Sequence, residues 1–256
     1  MDRDEREETA RHFGVAPEQV ERDHLISYLL AFLGVNFGGR IQFIGGTALA
    51  RTHLSDGRLS EDVDLIALGE RNDVAADLDA ALPRALARTH GRLSLDPPLI
   101  GLRDVEAAIL RSAGGISVRI QLLSERGREP WPTERRSLEQ RYRDAPAAEL
   151  IVPTLPAFAA SKTATWADRR APRDLWDLWA LSKIDAIDSA ALRLYRQFGP
   201  TNQPPADYLF KTAPSDAQWR AQLAGQTRLT ITAAEALATV RDSWTRVAGD
   251  GQMRGT

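Results

Sequence analysis

One stretch constrains this chain more than any other. A short apolar run over 41–44 leads straight into Gly45-Gly46-Thr47-Ala48-Leu49, and then comes Arg58-Leu59-Ser60-Glu61-Asp62-Val63-Asp64-Leu65. The first piece reads as a strand entering a tight glycine turn and a helix near Thr47, over 47–54. Two glycines let backbone approach an anion closely. A helix start aims free amides and its dipole at that anion, and Thr47 adds a hydroxyl. The second piece leads into a strand over 63–68. Asp62 and Asp64 stand two apart, so their carboxylates share one face. Such a pair repels unless a divalent cation neutralises it, and hard oxygen ligands suit Mg²⁺ bridging to substrate phosphates. Alone, a Gly-Gly is a turn, an Asp-x-Asp is a solvated strand edge, and Ser60 is a turn residue. Their order along one segment points instead to a phosphate site.

The rest of the chain supplies a scaffold. A charged arm or short helix runs to Gly14, and apolar residues at Val20, Leu25, Leu29, Leu30 and Leu33 predict a helix over 17–34 with Pro17 near its start. A helix over 72–88 follows, capped by Asn72 or Asp73. A strand is expected over 92–95. Segments 107–111 and 116–123 flank Ala113-Gly114-Gly115 as a hairpin. Residues 125–144 are arginine-dense and linker-like. Helices are expected over 155–169, 173–183, 188–197, 215–224 and 231–247, with a frayed tail after Gly249. The fold class is therefore α+β, with an α/β domain over 1–150 and a helical domain over 151–256.

Composition narrows the function classes. Apolar residues make up 43% and charged residues 27%, which is globular. The net charge of −2 excludes a protein that coats nucleic acid by charge alone. The absence of cysteine excludes a disulfide framework and a thiol nucleophile. No apolar stretch is long enough to span a bilayer, and the charged start does not read as a signal, so a cytoplasmic location is expected. His12, His24, His53 and His90 show no ligand spacing.

The basic residues are uneven: 30 arginines against three lysines, Lys162, Lys183 and Lys211. A GC-rich genome explains the bias, but it makes each of the three lysines worth asking about. Lys162 and Arg169 are seven apart, on one helix face, and Asp174 and Asp177 are three apart on the next helix, with Pro172 between the pairs. The helical pair can present Lys162 and Asp177 toward the α/β half. Lysine there would bind phosphate as a point charge, and Asp177 would orient it or act as a base. An interhelical salt-bridge set that merely docks two helices is the alternative.

These motifs together resemble the DNA polymerase β-like nucleotidyltransferases, and more narrowly the AbiEii/AbiGii nucleotidyltransferase toxin family that includes the MenT toxins. That family carries Gly-Gly-Thr-x-Leu, then Arg-x-Ser-x-Asp-x-Asp, and later a Lys-x-x-Ala-type segment with Arg and Arg-Asp-x-x-Asp-Leu. Here the second block reads Lys162-Thr163-Ala164, Arg169 and Arg173-Asp174-Leu175-Trp176-Asp177-Leu178. The likeness covers 43–66 and 155–181, with the hairpin in the expected place.

The resemblance implies a polymerase β-like core and a Mg²⁺-dependent nucleotidyltransferase, with Mn²⁺ as an alternative ion. Asp62 and Asp64 would hold the metal, and Asp62, Asp64, Lys162 and Asp177 would be catalytic. Gly45, Gly46, Thr47, Arg58, Ser60, Arg169, Arg173 and Asp174 would bind the nucleoside triphosphate. It further implies a toxin with a cognate antitoxin, an acceptor at the 3′ end of tRNA, and a block on translation; no DNA or membrane partner is expected. This requires Lys162 to converge with the acids on one pocket.

One departure stands out: the strand over 116–123 offers Arg119 and Gln121 where many such enzymes place a third carboxylate. Two-metal chemistry is in doubt on that ground. A small-molecule or protein nucleotidylyltransferase, or a silent nucleotide-binding protein, remains the alternative. The run Arg126, Arg128, Arg135, Arg136, Arg141 and Arg143, with Trp131 and Tyr142, reads equally as an RNA-binding surface or as a solvated loop cancelled by interleaved glutamates. Trp166, Trp176, Trp179, Trp219 and Trp244 read as core anchors.

Overall fold

Local chemistry sets the first corner of the chain. Helix α1 (Arg3–Phe13) opens on Asp2, whose side chain accepts from the Glu5 N–H, and closes on Gly14 in the left-handed region at φ +69°. Helix α2 (Pro17–Phe37) starts with proline at its first position and buries Val20, Leu25, Ile26, Leu29, Leu30 and Leu33. It runs past Gly34, where the sequence predicts its end. That glycine is no stop: a Cβ there would lie 2.9 Å from the Glu149 carbonyl oxygen, so it serves a close backbone approach. The computed structural model describes residues 1–253, with side chains described through Gly249, so the expected tail beyond Gly249 lies outside what is described in full.

Strand β1 (Ile41–Ile44) passes directly into α3 (Gly45–Ala50), and β2 (Asp62–Ala67) returns antiparallel beside β1. Helix α3 begins two residues before the expected start and stops at Ala50 rather than residue 54. Helix α4 (Arg71–Ala85) has Glu70 at its cap position with no side-chain capping bond, so neither Asn72 nor Asp73 caps it. It ends before residue 88, soon after Pro83 removes a backbone donor. Strands β3 (Ser94–Asp96), β4 (Ala108–Arg111) and β5 (Ser117–Ser124) follow, with β4 and β5 forming the expected hairpin. The linker-like stretch contains β6 (Thr133–Ser137), and β7 (Glu149–Pro153) comes next. The seven strands order as β3-β4-β5-β2-β1-β7-β6, with β2 parallel to β5 and β1 parallel to β7.

The chain divides into two compact units, Met1–Arg128 with Glu134–Val152, and Glu129–Thr133 with Pro153–Thr256. The second is helical: α5 (Leu155–Arg169), α6 (Pro172–Lys183), α7 (Ser189–Phe198), α8 (Asp216–Leu223) and α9 (Ala233–Met253). Trp166, Trp176, Trp219 and Trp244 are buried as core anchors, and the Trp166 indole N–H donates to the Leu209 carbonyl at 3.0 Å. Helix α9 starts after Thr232 rather than at residue 231, because Thr232 and Glu235 exchange hydrogen bonds across that turn. The fold is α+β, and no described helix is long and apolar enough to cross a membrane.

A charged cluster lies inside the first unit. Asp23 of α2 and Arg51, just past α3, are both sealed from solvent and meet at 2.8 Å. Arg141 lies 3.4 Å from the same Asp23 oxygen, and the Tyr142 hydroxyl donates to the other at 3.0 Å. Burial pushes the Arg51 guanidinium down to about 10, against the opposing pull of Asp23. Asp23→Ala leaves two buried guanidinium groups without their carboxylate. It is expected to cost about 3–5 kcal/mol of stability, read as a lowered denaturation midpoint, whereas Tyr142→Phe is expected to cost roughly 1 kcal/mol.

A second polar chain links His90, His24 and Asp144. His90 Nε2 faces His24 Nδ1 at 3.2 Å, and His24 Nε2 faces Asp144 at 3.0 Å. Burial, then the neighbouring His24, pushes His90 from 6.5 down to about 4. The unfolded chain therefore takes up this proton first, and stability is lost as pH falls from about 6.5 to about 4. Unfolding midpoints across that window should fall for the parent chain and fall less for His90→Asn.

Candidate functional site

The glycine joint and the acidic strand meet through the pairing of β1 with β2. Ile44 lies opposite Asp64, so Gly45 sits directly beside that carboxylate. Along β2 the exposure alternates: Asp62 and Asp64 face one side, partly open, while Val63 and Leu65 are fully buried on the other. Gly45 has φ +82°, and a Cβ on it would overlap Asp64 Oδ2 and come within 3.3 Å of its Cγ. Only glycine takes that backbone conformation and leaves the carboxylate room. Gly46 serves a different neighbour. A Cβ there would overlap the Arg58 guanidinium and lie 3.3 Å from Ser60 Oγ. Thus Gly45, Gly46, Arg58, Ser60 and Asp64 gather around one backbone joint.

Thr47 ties this joint to the strand. Its hydroxyl donates to the carbonyl oxygen of Asp62, so its side chain fastens α3 to β2 rather than pointing a donor outward. Both glycines lie inside the first turn of α3, where the sequence places a separate turn before the helix.

The strand beside the acidic pair offers few further donors to a divalent cation. Asp64 lies opposite Gln121, and Asp62 opposite Arg119, across the parallel β2–β5 pair. Gln121 spends its amide on the Asp104 carbonyl at 2.7 Å. Among the described residues no group of three His, Cys, Asp or Glu side chains could hold a metal. What remains is a pair of hard carboxylates on one strand face, one of them cradled by a glycine. That set fits Mg²⁺, which is commonly held by one or two carboxylates, substrate phosphates and water.

In the second unit the other predicted residues form a compact ion cluster. Lys162 Nζ lies 2.6 Å from Asp177 and 3.4 Å from Asp174. Arg169 grips Asp174 with two nitrogens, at 2.7 and 2.9 Å. Asp174 is fully buried and both its oxygens are engaged by these cations. The helix spacing thus joins Lys162, Arg169, Asp174 and Asp177 into one network between α5 and α6. Arg173 lies on the first turn of α6, partly exposed.

The arginine-dense run does not form a bare basic face. Arg126 faces Glu70, Arg128 faces Asp104, Arg135 faces Glu149 and Arg136 faces Glu134, while Arg141 and Tyr142 belong to the buried cluster around Asp23. Trp131 packs edge-on against Phe198 in the second unit. Sequence reasoning missed the Asp23–Arg51 pair. Its signal was an acid on the apolar face of α2, in line with Val20, Ser27 and Leu30.

The family model for the nucleotidyl transferase AbiEii toxin, of a type IV toxin–antitoxin system, matches residues 28–246. Among solved structures, the chain is similar to MenT4, a nucleotidyltransferase toxin from Mycobacterium tuberculosis H37Rv. The TM-score is 0.66 at 21% identity, covering 97% of this chain and 92% of that one. The fold is therefore a MenT-like nucleotidyltransferase fold. An antigenic nucleotidyltransferase-like protein from Paracoccidioides brasiliensis is more distant, with a TM-score of 0.40 at 14% identity over 64% of this chain and 77% of that one. No curated protein matches the sequence.

The glycine joint makes a stability prediction. Gly45→Ala forces a side chain into left-handed backbone and against Asp64, and should cost about 1–3 kcal/mol. Gly39→Ala, with nothing near its Cβ position, should cost little. Combining Gly45→Ala with Asp64→Ala should recover part of the loss in urea unfolding, because the overlap with the carboxylate is then gone.

Proposed function

We propose, from the premise that this chain belongs to the AbiEii nucleotidyl transferase toxin family, that it is a Mg²⁺-dependent enzyme that transfers a nucleotide to the 3′ end of tRNA and thereby blocks translation. The observation that supports this reading best is the glycine joint. Gly45 and Gly46 bring backbone within contact of Asp64 on one side and of Arg58 and Ser60 on the other. A triphosphate placed there would meet the partly buried amides of this turn, the Asp62 and Asp64 carboxylates beside it and, behind Gly46, the buried Arg58 guanidinium and Ser60 hydroxyl.

The division of labour follows from the side chains. Asp62 and Asp64 hold the divalent ion, which when bound neutralises phosphate charge and polarises the α-phosphate. Arg58, Ser60 and the amides of the Gly45–Thr47 turn orient the phosphates. Thr47 acts through its backbone, because its hydroxyl is committed to Asp62. Lys162 supplies a further positive charge to the nucleotide, and Asp177, 2.6 Å away, orients that amine or takes the proton of the acceptor hydroxyl. Asp174 holds Lys162 and Arg169 in place from a fully buried position, and Arg173 adds charge at the rim. The acceptor hydroxyl attacks the α-phosphorus and pyrophosphate leaves. Catalysis is mostly positioning and charge neutralisation. Neutralisation by a cognate antitoxin and action in the cytoplasm complete the reading.

The test uses purified protein, each labelled nucleoside triphosphate, MgCl₂ or MnCl₂, and either total tRNA or a protein extract. Label on tRNA is expected, and label on protein alone would replace the acceptor. Asp62→Ala and Lys162→Ala should each lower transfer at least about a hundredfold while thermal unfolding shows both folded. Full residual transfer by both variants overturns the proposal.

A further inference from the structure

The segment that brings Arg58 and Ser60 to Gly46 has neither helix nor strand to hold it. Its grip comes from the corner between α1 and α2. The Leu59 side chain is fully buried in a cluster with Phe13, Val20 and Tyr142. The Leu59 carbonyl accepts a 2.7 Å hydrogen bond from Gln19 Nε2, and Gln19 is itself buried, with 5% of its surface exposed. So Leu59 is held on one side of the segment, while Arg58 and Ser60 meet Gly46 on the other.

Gln19 is held in turn. Its amide oxygen accepts from Arg22 Nη1, Arg22 Nε donates to the Ser117 carbonyl at 3.0 Å, and the same Arg22 lies 3.6 Å from Glu61. Two polar side chains on one turn of α2 therefore pin the approach to β2 and the start of β5, the strands that carry Asp62 and Gln121. A buried glutamine that only filled space would leave a polar amide unsatisfied at a cost. Here both ends are used. Gln19 and Arg22 also lie upstream of residue 28, where the family match begins, so nothing in that match assigns them a role.

We propose that Gln19 is a positioning residue for nucleotide binding: by holding the Leu59 carbonyl it aims Arg58 and Ser60 at the phosphates above Gly46. This rests on the phosphate placement proposed above and adds to it a brace outside the motif residues. Displacing a positioning group by about an ångström is enough to cost an order of magnitude or more in function.

The experiment is calorimetric titration of the folded chain with each of the four nucleoside triphosphates in MgCl₂, alongside thermal unfolding. Gln19→Met keeps the volume and removes both polar ends. It is expected to weaken the best-bound triphosphate about tenfold. Val20→Ala removes apolar bulk from the same cluster without touching the bond. It should lower the unfolding temperature at least as much while leaving affinity within about twofold, since the brace stays intact. Gln19→Glu keeps the partner for Arg22 but presents no donor to Leu59, and it should reproduce the weakening even where Gln19→Met does not fold. Wild-type affinity in the folded glutamine variants, or equal weakening by Val20→Ala, overturns the brace. Arg58→Ala separates the two readings. Unchanged affinity there removes the phosphate placement itself, whereas weakened affinity there with unaffected glutamine variants removes the brace alone.

Discussion

The ion pair between Asp23 and Arg51 is the constraint on which the first unit turns. Helix α3 has six residues, too short to persist by its own hydrogen bonds. Yet it begins at the glycines that meet Arg58, Ser60 and Asp64. Its C-terminal end is what the buried cluster fastens. Arg51 stands at the cap position and donates to the carbonyls of Asp23 and Glu139, and Arg141 donates to the carbonyls of Ala50 and Ser55. Two cations at a helix C-terminus oppose the negative end of its dipole. One carboxylate does not neutralise two guanidinium groups, and four backbone oxygens take part of the remainder, while Arg51 Nε and Arg141 Nε stay buried without a hydrogen-bond partner. The Arg51 pKa is depressed, with burial as the first cause and the Asp23 carboxylate pulling the other way.

From that anchor the site follows by contact. The Thr47 hydroxyl fixes α3 to the Asp62 carbonyl, and the β1–β2 register sets Asp64 beside Gly45. The two glycines are not interchangeable. Gly45 needs its left-handed backbone and makes room for a carboxylate, while Gly46 makes room for a guanidinium and a hydroxyl. A methyl on either would displace a different chemical group. The chain is a nucleotidyltransferase of a toxin family, and its pattern of glycine, acid and arginine has a steric origin at this joint.

Much of this was legible in the sequence because it is local. Residues 43–65 carry strand, glycines, helix and acidic strand in order, and helix spacing alone groups Lys162 with Arg169 and Asp174 with Asp177. Helix α5 was legible to its ends because Pro156 and Leu155 open it and its apolar face repeats. What escaped depends on distant partners. Gly34 reads as a helix stop, but the backbone of Glu149 arrives from elsewhere in the chain to make it a close approach. Strand β6 hides in a charged run, because an edge strand of a sheet can keep its charges in water. Gln19 and Arg22 gave no sequence signal, since their partners Leu59 and Ser117 lie 40 and 95 residues away.

Strand β5 decides which side chains stand beside the acidic pair. Gln121 stands opposite Asp64 in register, and Asp104 is the acid nearest to it in the hydrogen-bond network. Asp104 gives Gln121 only its backbone carbonyl. Its carboxylate turns to Arg71 at 3.2 Å and to the Ser124 N–H at 2.8 Å. Those bonds hold the loop before β4 against the far end of β5, so recruiting Asp104 to a cation would undo them. Arg119, opposite Asp62, puts positive charge where a further carboxylate would be needed. On this face of β2 and β5 the described carboxylates are therefore Asp62 and Asp64.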